Sequence, residues 1–265
     1  RARWAAVAEK LLFPSLDGTP LCALAHDAPA SRGTVVLAHG ITVDKYESGD
    51  SVHGVGAFVE LATHLEQAGY NVLRFDFRGH GESGGEQQDM TISGELLDLI
   101  ASMDVARQRW QKPLALLGAS FGAVSATLYA AYASAGDLAC LVLWNPVLDL
   151  QQTFLEPVLP KPRHFFSAQA FADLPQKGYL MLDQFQVGRC LVQEMRRVQP
   201  FAHMPRITCP VLTLHGARDS YVPFAVAQAH AGCNARSRFV PLPDAEHGFM
   251  EPADREIIIS ETLRW

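Results

Sequence analysis

The chain has 265 residues, of which 48% are hydrophobic and 19% are charged, a composition typical of a globular protein. Its formal net charge of -6, with no block rich in lysine or arginine, argues against a nucleic-acid-binding protein. No apolar run reaches the roughly 18 to 20 residues that span a bilayer, and residues 1–4 show no signal-peptide core. We therefore predict one large cytoplasmic domain without a membrane span, and the sequence leaves a homodimer open.

Short apolar runs that alternate with helical patterns predict an α/β fold, with a mostly parallel sheet covered by helices on both faces. The predicted strands are residues 10–13, 21–25, 34–38, 71–75, 114–117, 138–143, 211–214 and 238–240. The predicted helices are residues 56–68, 92–108, 122–134, 223–230 and 254–265.

The alternation breaks between residues 146 and 205, where prolines and aromatic side chains dominate. A structureless loop of that length is improbable. We therefore expect an inserted cap subdomain over the carboxyl ends of the strands, where open α/β sheets bind ligands. Residues 1–145 and 206–265 would then form the core domain. The alternative is a surface segment whose aromatic side chains pack only among themselves.

Two segments match the pattern G-x-S-x-G, which exposes a nucleophilic serine only where a strand turns sharply into a helix. Ser120 follows the predicted strand 114–117 and precedes a helix of small residues, so it fits this context. Ser83 is followed by Gly84 and Gly85 in a stretch that favours a loop. Ser120 is therefore the predicted nucleophile, and a buried serine in a tight turn is the alternative.

A serine hydroxyl needs a histidine base, and on this fold the order along the chain is serine, acid, histidine. His247 lies beyond the last predicted strand and is the expected base. Asp219 follows the strand 211–214 and is the expected acid, which would orient the imidazole. Asp149, after the preceding strand, is the rival acid, whereas Asp244 is too close to His247 in sequence.

When the serine attacks a carbonyl group, a tetrahedral oxyanion forms, and main-chain N–H groups are expected to bind it. The chemistry therefore does not dictate the side chains of the residues that supply these N–H groups. His39-Gly40-Ile41 ends the strand 34–38 and opens a long loop. The backbone amides of Ile41 and Phe121 are therefore the predicted oxyanion hole.

With these motifs the sequence resembles the α/β-hydrolase superfamily, in particular the bacterial feruloyl/cinnamoyl esterases. The closer likeness lies in residues 75–83 (Phe-Asp-Phe-Arg-Gly-His-Gly-Glu-Ser), 90–91, 95–98 and 185–189. The resemblance implies a serine esterase whose cap holds a phenolic acyl group. The sequence departs from the pattern at Ala119, where a histidine is common, and at Phe121, whose bulk would narrow the pocket.

The predicted activity is hydrolysis of a small-molecule ester with an apolar or aromatic acyl group, through an acyl-enzyme. A thioesterase or acyltransferase acting on an acyl thioester is the alternative, and a catalytically silent binding module is a third. No cofactor or metal is expected, because H-E-x-x-H and clustered ligands are missing. The five cysteines are scattered without a C-x-x-C pair, which argues against a disulfide framework, and most are expected to be buried.

Overall fold

The computed structural model describes residues 8–47 and 55–265, and these residues form two β-sheets. The strands are β1 (Glu9–Pro14), β2 (Pro20–His26), β3 (Gly33–Ala38), β4 (Tyr70–Phe75), β5 (Leu114–Ala119), β6 (Cys140–Trp144), β7 (Tyr179–Leu182), β8 (Phe185–Gly188), β9 (Val211–Gly216) and β10 (Ser237–Leu242). The helices are α1 (Ala57–Gln67), α2 (Ile92–Trp110), α3 (Gly122–Tyr132), α4 (Pro160–Phe165), α5 (Ala168–Lys177), α6 (Arg189–Met195), α7 (Phe224–His230) and α8 (Pro252–Arg264).

The central sheet has eight strands in the order β1-β2-β4-β3-β5-β6-β9-β10. β1 and β2 are antiparallel to their neighbours, and the other six strands, β4, β3, β5, β6, β9 and β10, run parallel. Ala119 of β5 pairs with Trp144 of β6, and Trp144 pairs with Leu214 of β9. Because parallel strands end at the same edge, the loops after β3, β5, β6 and β9 lie side by side. The predicted α/β fold is confirmed, with the ends of every predicted strand and helix within two residues of those observed.

Both faces of the sheet are covered, which explains why its strands read as continuous apolar runs. All six residues of β3 are buried. Alternate residues of this strand face opposite sides: Val36 and Ala38 join a cluster with α2 and α3, whereas Val35 and Leu37 join a cluster with α1 and α8. The core is therefore two apolar layers separated by the sheet.

The segment between β6 and β9 contains a single turn of π-helix, helices α4 to α6, the hairpin β7–β8 and a short 3₁₀ helix. Its buried apolar side chains form a third cluster with Ile41 and Phe121, which follow β3 and β5. The segment thus packs over the carboxyl edge of the sheet. Several of its aromatic rings also contact one another, with Phe154 and Phe166 centred 5.0 Å apart. Its assignment as a separate cap subdomain spanning residues 146–205 stays a prediction.

The five cysteines are free thiols, and the expectation that most are buried is wrong. Cys22 and Cys209 are buried, Cys140 and Cys233 are half-buried, and Cys190 is exposed at the start of α6. Within residues 8–47 and 55–265, no helix combines the length and the apolar character needed to cross a bilayer. Residues 1–4, which carried the prediction about a signal peptide, lie outside this described part.

Candidate active site

Ser120 lies on the turn between β5 and α3, where its backbone adopts a left-handed conformation with φ of 50°. This conformation is costly for a residue with a side chain and persists where the surroundings enforce it. The Ser120 N–H donates to the carbonyl oxygen of Trp144 at 2.8 Å, which ties the turn to β6. The sharp strand-to-helix turn predicted for this serine is therefore present.

Gly122, the last residue of the second G-x-S-x-G segment, begins α3 against the end of β3. A Cβ atom at this position would lie 2.3 Å from the His39 carbonyl oxygen and 2.5 Å from that of Ala38. These neighbours are backbone atoms and cannot rotate away. The glycine therefore lets the helix start in contact with the strand that carries the predicted oxyanion loop.

The structure brings the three predicted triad residues together in one chain of contacts. The Oγ of Ser120 lies 3.0 Å from Nε2 of His247, and Nδ1 of His247 lies 2.7 Å from Oδ2 of Asp219. The three residues come from the loops after β5, β10 and β9. These distances are within the hydrogen-bonding range that the predicted roles of nucleophile, base and orienting acid require.

Asp219 is a buried carboxylate whose two oxygens have different partners. Oδ1 accepts the N–H groups of Tyr221 at 2.8 Å and Val222 at 2.7 Å, and Oδ2 faces the imidazoles of His247 and His215. Burial alone would raise the pKa of Asp219, but the two histidines lower it well below its ordinary value. The group is therefore ionised at neutral pH.

His247 presents its Nε2 atom to the serine because its other nitrogen is engaged by Asp219. Burial lowers the pKa of His247, but the Asp219 carboxylate, with smaller contributions from Glu47 and Glu246, raises it above its ordinary value overall. The hydrogen bond to Asp219 places the proton of the neutral ring on Nδ1. Nε2 is then free to accept the proton of the Ser120 hydroxyl.

The loop that carries the predicted oxyanion donor Ile41 is fixed by two buried histidines. His39 Nε2 accepts the Phe77 N–H at 3.0 Å, so its proton is on Nδ1 and is donated to the Gly40 carbonyl at 2.7 Å. His80 Nε2 lies 2.6 Å from the carbonyl oxygen of Ile41. In the trans peptide between Gly40 and Ile41, the Ile41 N–H points away from the carbonyl that His39 holds.

Comparisons with known proteins agree with this architecture. Residues 29–180, more than half of the chain, match the family Hydrolase_4, described as "Serine aminopeptidase, S33". The chain belongs to this family. It is a member of the α/β-hydrolase superfamily, as the sequence predicted. The uncharacterized protein YqkD of Bacillus subtilis is 28% identical over 199 residues, which are 75% of this chain and 58% of that protein. The chain thus spans less than two thirds of that relative's length.

Solved structures share the fold of this hydrolase at low sequence identity. Est1E from Butyrivibrio proteoclasticus, solved with ferulic acid, has a TM-score of 0.78 and 20% identity over 96% of each chain. The Pyrococcus furiosus esterase Pf2001 has a TM-score of 0.71 and 24% identity, over 97% of this chain and 90% of that chain. Both comparisons support the α/β-hydrolase fold.

The rival residues of this hydrolase have other partners. Asp149 accepts the backbone N–H of Gln152 at 2.9 Å and its side-chain amide at 2.7 Å, which caps the π-helical turn. Asp244 is exposed and pairs with Arg218 at 2.7 Å. Ser83 accepts the Cys22 N–H at 2.9 Å and donates to a backbone carbonyl at 2.7 Å, so it stabilises a loop.

Cys22, Asp76 and Glu82 place potential metal ligands within 4.8 Å of one another. The buried ammonium group of Lys45 lies 2.6 Å from Oδ2 of Asp76 and 2.9 Å from Oε2 of Glu82. This ammonium, together with that of Lys10 at Glu82, already pairs with the carboxylates that a cation would need. The cluster is therefore an ion-pair network that anchors the loop after β3.

A cavity of about 20 Å³ adjoins the triad and is lined by Ser120, His247, Glu47 and Asn145 together with apolar residues. A larger cavity of about 710 Å³ lies at the amino ends of the strands, beside residues such as Thr34 and Ser237, and contains no triad residue. Of these two cavities, the small one therefore adjoins the predicted triad.

Sequence analysis missed Glu47, Asn145 and His215 at this site. Asn145 directly follows β6 and His215 lies near the end of β9, so the rule that selected Ser120 and Asp219 could have selected them. Glu47 lies in the loop after β3, and no local pattern distinguishes it from other loop carboxylates.

Proposed function

We propose that this hydrolase is a serine esterase that cleaves a carboxylic ester with an apolar or aromatic acyl group. Ser120 attacks the ester carbonyl while His247 takes its proton, and Asp219 orients and stabilises the imidazolium. His247 then protonates the leaving alcohol, and an acyl-enzyme forms. Water releases the acid in a second step. The observation that carries the proposal is the continuous contact from Ser120 through His247 to Asp219.

The N–H groups of Ile41 and Phe121 are the proposed donors to the oxyanion. Phe121 directly follows the nucleophile at the start of α3, and Gly40 brings the other loop close. A Cβ atom on Gly40 would lie 3.2 Å from Cβ of Ser120, which shows how close the two backbone segments are. Removing one such donor typically costs about 3 kcal/mol of transition-state stabilisation.

The apolar surroundings of the serine support the proposed acyl group. Ile41 and Phe121 belong to a buried apolar cluster, and the ring of Phe121 lies 5.9 Å from that of Phe154 in the segment over the sheet edge. Est1E, which shares the fold, was solved with ferulic acid. We propose that residues 146–205 act as a cap on the acyl group.

The proposal is tested with the variant Ser120→Ala and the matched control Ser83→Ala. We expect Ser120→Ala to lower turnover of p-nitrophenyl esters by at least about 10³-fold and to abolish labelling by a fluorophosphonate probe. Ser83→Ala should retain both. Unchanged turnover in Ser120→Ala would exclude the assigned nucleophile, and loss of labelling with an intact far-UV spectrum would support it.

Esters are separated from the alternatives by a substrate panel. Esters and acyl thioesters of matched acyl groups, graded in chain length and aromaticity, are compared with aminoacyl amides, because the family is described by an aminopeptidase. We expect the highest kcat/KM for esters with apolar or aromatic acyl groups. Preference for thioesters would indicate the thioesterase or acyltransferase alternative. If the wild type neither turns over any substrate nor is labelled by the probe, the protein is a binding module. The cytoplasmic location and a homodimer stay predictions.

A further inference from the structure

The small cavity beside Ser120 has the size of a site for one water molecule, and several of its lining residues carry polar side chains. Its volume is about 20 Å³, and a water needs about 10–15 Å³ measured in this way together with two to four polar partners. The lining residues with polar side chains include Ser120, His247, Glu47 and Asn145, and the apolar ones include Ala119 and Phe249. The cavity adjoins the bond that an acyl-enzyme would present to water.

Glu47 is held in place at this cavity from both its backbone and its side chain. Its backbone has φ of 49°, and its N–H donates to the Asp44 carbonyl at 2.8 Å, which closes a tight turn. Oε2 of the side chain accepts the Gly40 N–H at 2.9 Å. Oε1 lies 3.4 Å from the point where a Gly40 Cβ would be, and Ser120 Oγ lies 3.6 Å from the same point. Oε2 is therefore engaged in a hydrogen bond, whereas Oε1 lies on the side of Gly40 that faces Ser120.

Asn145 supplies a donor where Glu47 supplies an acceptor. Its Oδ1 accepts the Gly216 N–H at 2.9 Å, which fixes the orientation of the amide. Its Nδ2 is buried and has no hydrogen-bond partner among the described residues, although the side chain lines the cavity. A buried amide N–H without a partner is costly, and an ordered water is the usual partner of such a group.

We propose that Glu47 and Asn145 hold, in this cavity, the water that hydrolyses the acyl-enzyme. The inference rests on the proposed esterase function and extends it to the second step. The water donates one hydrogen to His247 Nε2 and the other to Glu47 Oε1, and it accepts the Asn145 Nδ2–H. Its remaining lone pair is directed to the acyl carbon.

The step balances with groups that are present. The water oxygen bonds to the acyl carbon as His247 removes one proton, and the tetrahedral oxyanion is stabilised by the N–H groups of Ile41 and Phe121. The bond to Ser120 Oγ then breaks, and His247 returns the proton to that oxygen. Glu47 and Asn145 position the water and exchange no proton.

Glu47 offers two acceptor oxygens once its side chain is ionised. Burial raises the pKa of Glu47 to about 7, with a smaller increase from Asp44, while the Gly40 N–H and His247 oppose the rise. Above this pH the side chain is a carboxylate, and both oxygens accept hydrogen bonds.

Two isosteric variants invert these roles and test the inference. In Glu47→Gln the amide oxygen stays on the Gly40 N–H, so an NH₂ donor replaces the acceptor that faces the water. In Asn145→Asp the carboxylate keeps the Gly216 N–H, so an acceptor replaces the donor. With a p-nitrophenyl ester we expect the pre-steady-state burst rate to stay within about threefold, while the steady-state rate falls about tenfold or more. The acyl adduct should accumulate in intact-protein mass spectra.

Competition with methanol supplies a readout that a general loss of structure would not produce. Methanol has a single O–H, which it donates to His247, so it does not need the second acceptor that Glu47 offers water. Glu47→Gln should therefore raise the ratio of methyl ester to free acid, and the control Glu256→Gln on the exposed face of α8 should leave it unchanged.

The inference is overturned if burst and steady-state rates fall together or if the product ratio stays at the wild-type value. Ser120→Ala separates this failure from failure of the proposed function. If Ser120→Ala forms no adduct while both isosteric variants deacylate normally, only the water site is wrong. If Ser120→Ala still turns over substrate, the esterase mechanism and the water site are both wrong.

Discussion

The carboxylate of Asp219 lies 3.2 Å from Nε2 of His215, four residues earlier in the chain and equally buried. The same oxygen, Oδ2, lies 2.7 Å from His247, so one acid faces two imidazoles. Both rings help to hold the pKa of Asp219 well below its ordinary value against the effect of burial. His215 is therefore a support for the acid, whereas His247 connects the acid to the serine.

Replacing each candidate aspartate in turn should show which one acts as the acid. We expect Asp219→Asn to lower kcat/KM by about 10³–10⁴-fold, because an amide no longer fixes the Nδ1–H tautomer or stabilises the imidazolium. Asp149→Asn is the matched control, since the Asp149 side chain caps a helical turn through its hydrogen bonds to Gln152. It should retain activity within a few-fold in steady-state assays. Equal losses in the two variants would contradict the assignment.

The pH profile should report the histidine base. The pKa of His247 is raised above the 6.5 of an ordinary histidine, so the neutral, active form is lost as the pH falls through a value above 6.5. The decrease in kcat/KM of the wild type should therefore begin at a higher pH than for a free imidazole. In Asp219→Asn the loss of the main cause should move the residual profile to lower pH. A rate that is flat down to pH 5 would contradict histidine base catalysis.

Glu47 should make the protein less stable as the pH rises. Its pKa is about 7 in the folded protein and near the ordinary value of 4.5 in the unfolded chain. The folded state thus binds more protons between these values, and the free energy of unfolding decreases with increasing pH across this window. Glu47→Gln removes the titrating group, so the Tm of the variant minus the Tm of the wild type should increase from pH 5 to pH 8. Each kcal/mol that the free energy of unfolding of the wild type loses over this window corresponds to about 2–4 °C.

Calorimetry at these two pH values measures the difference, with Glu256→Gln as the exposed control. A Tm difference that does not change with pH would show that Glu47 titrates normally.

Gly122 should tolerate no side chain. In Gly122→Ala the new methyl carbon would lie 2.3 Å and 2.5 Å from two carbonyl oxygens at the end of β3. The helix or the oxyanion loop must move, and a 1 Å displacement of catalytic groups can reduce the rate by about 10²-fold. We expect lower kcat and lower Tm in the same variant. Wild-type kcat in Gly122→Ala would show that the position of α3 against β3 does not matter for the reaction.

The confirmed fold prediction and the selection of the candidate site residues both depended on local pattern and chain order. Alternation of apolar and helical segments gave the strands, because each must bury two faces. Ser120 was separated from Ser83 by the strand before it and the small-residue helix after it. Asp219 and His247 were selected because each follows a strand of a parallel sheet, and such strands end at one edge.

The residues that were missed depend on contacts between distant segments. Glu47 meets Gly40 through a loop whose path no local pattern encodes, and Asn145 is placed by a hydrogen bond to Gly216, 71 residues later. The exposure of Cys190 was missed for the same reason, since it depends on how α6 packs.

The amino-acid sequence by itself determined the α/β fold, the strained turn at Ser120 and the order of the three proposed catalytic residues. These features follow from periodicity and from glycine at positions where backbones meet. Only the tertiary structure decided that Asp219 rather than Asp149 faces His247, and that Glu47 and Asn145 flank a water-sized space. Such choices depend on differences of a few ångströms between side chains far apart in sequence, and these distances are set by packing of the whole sheet.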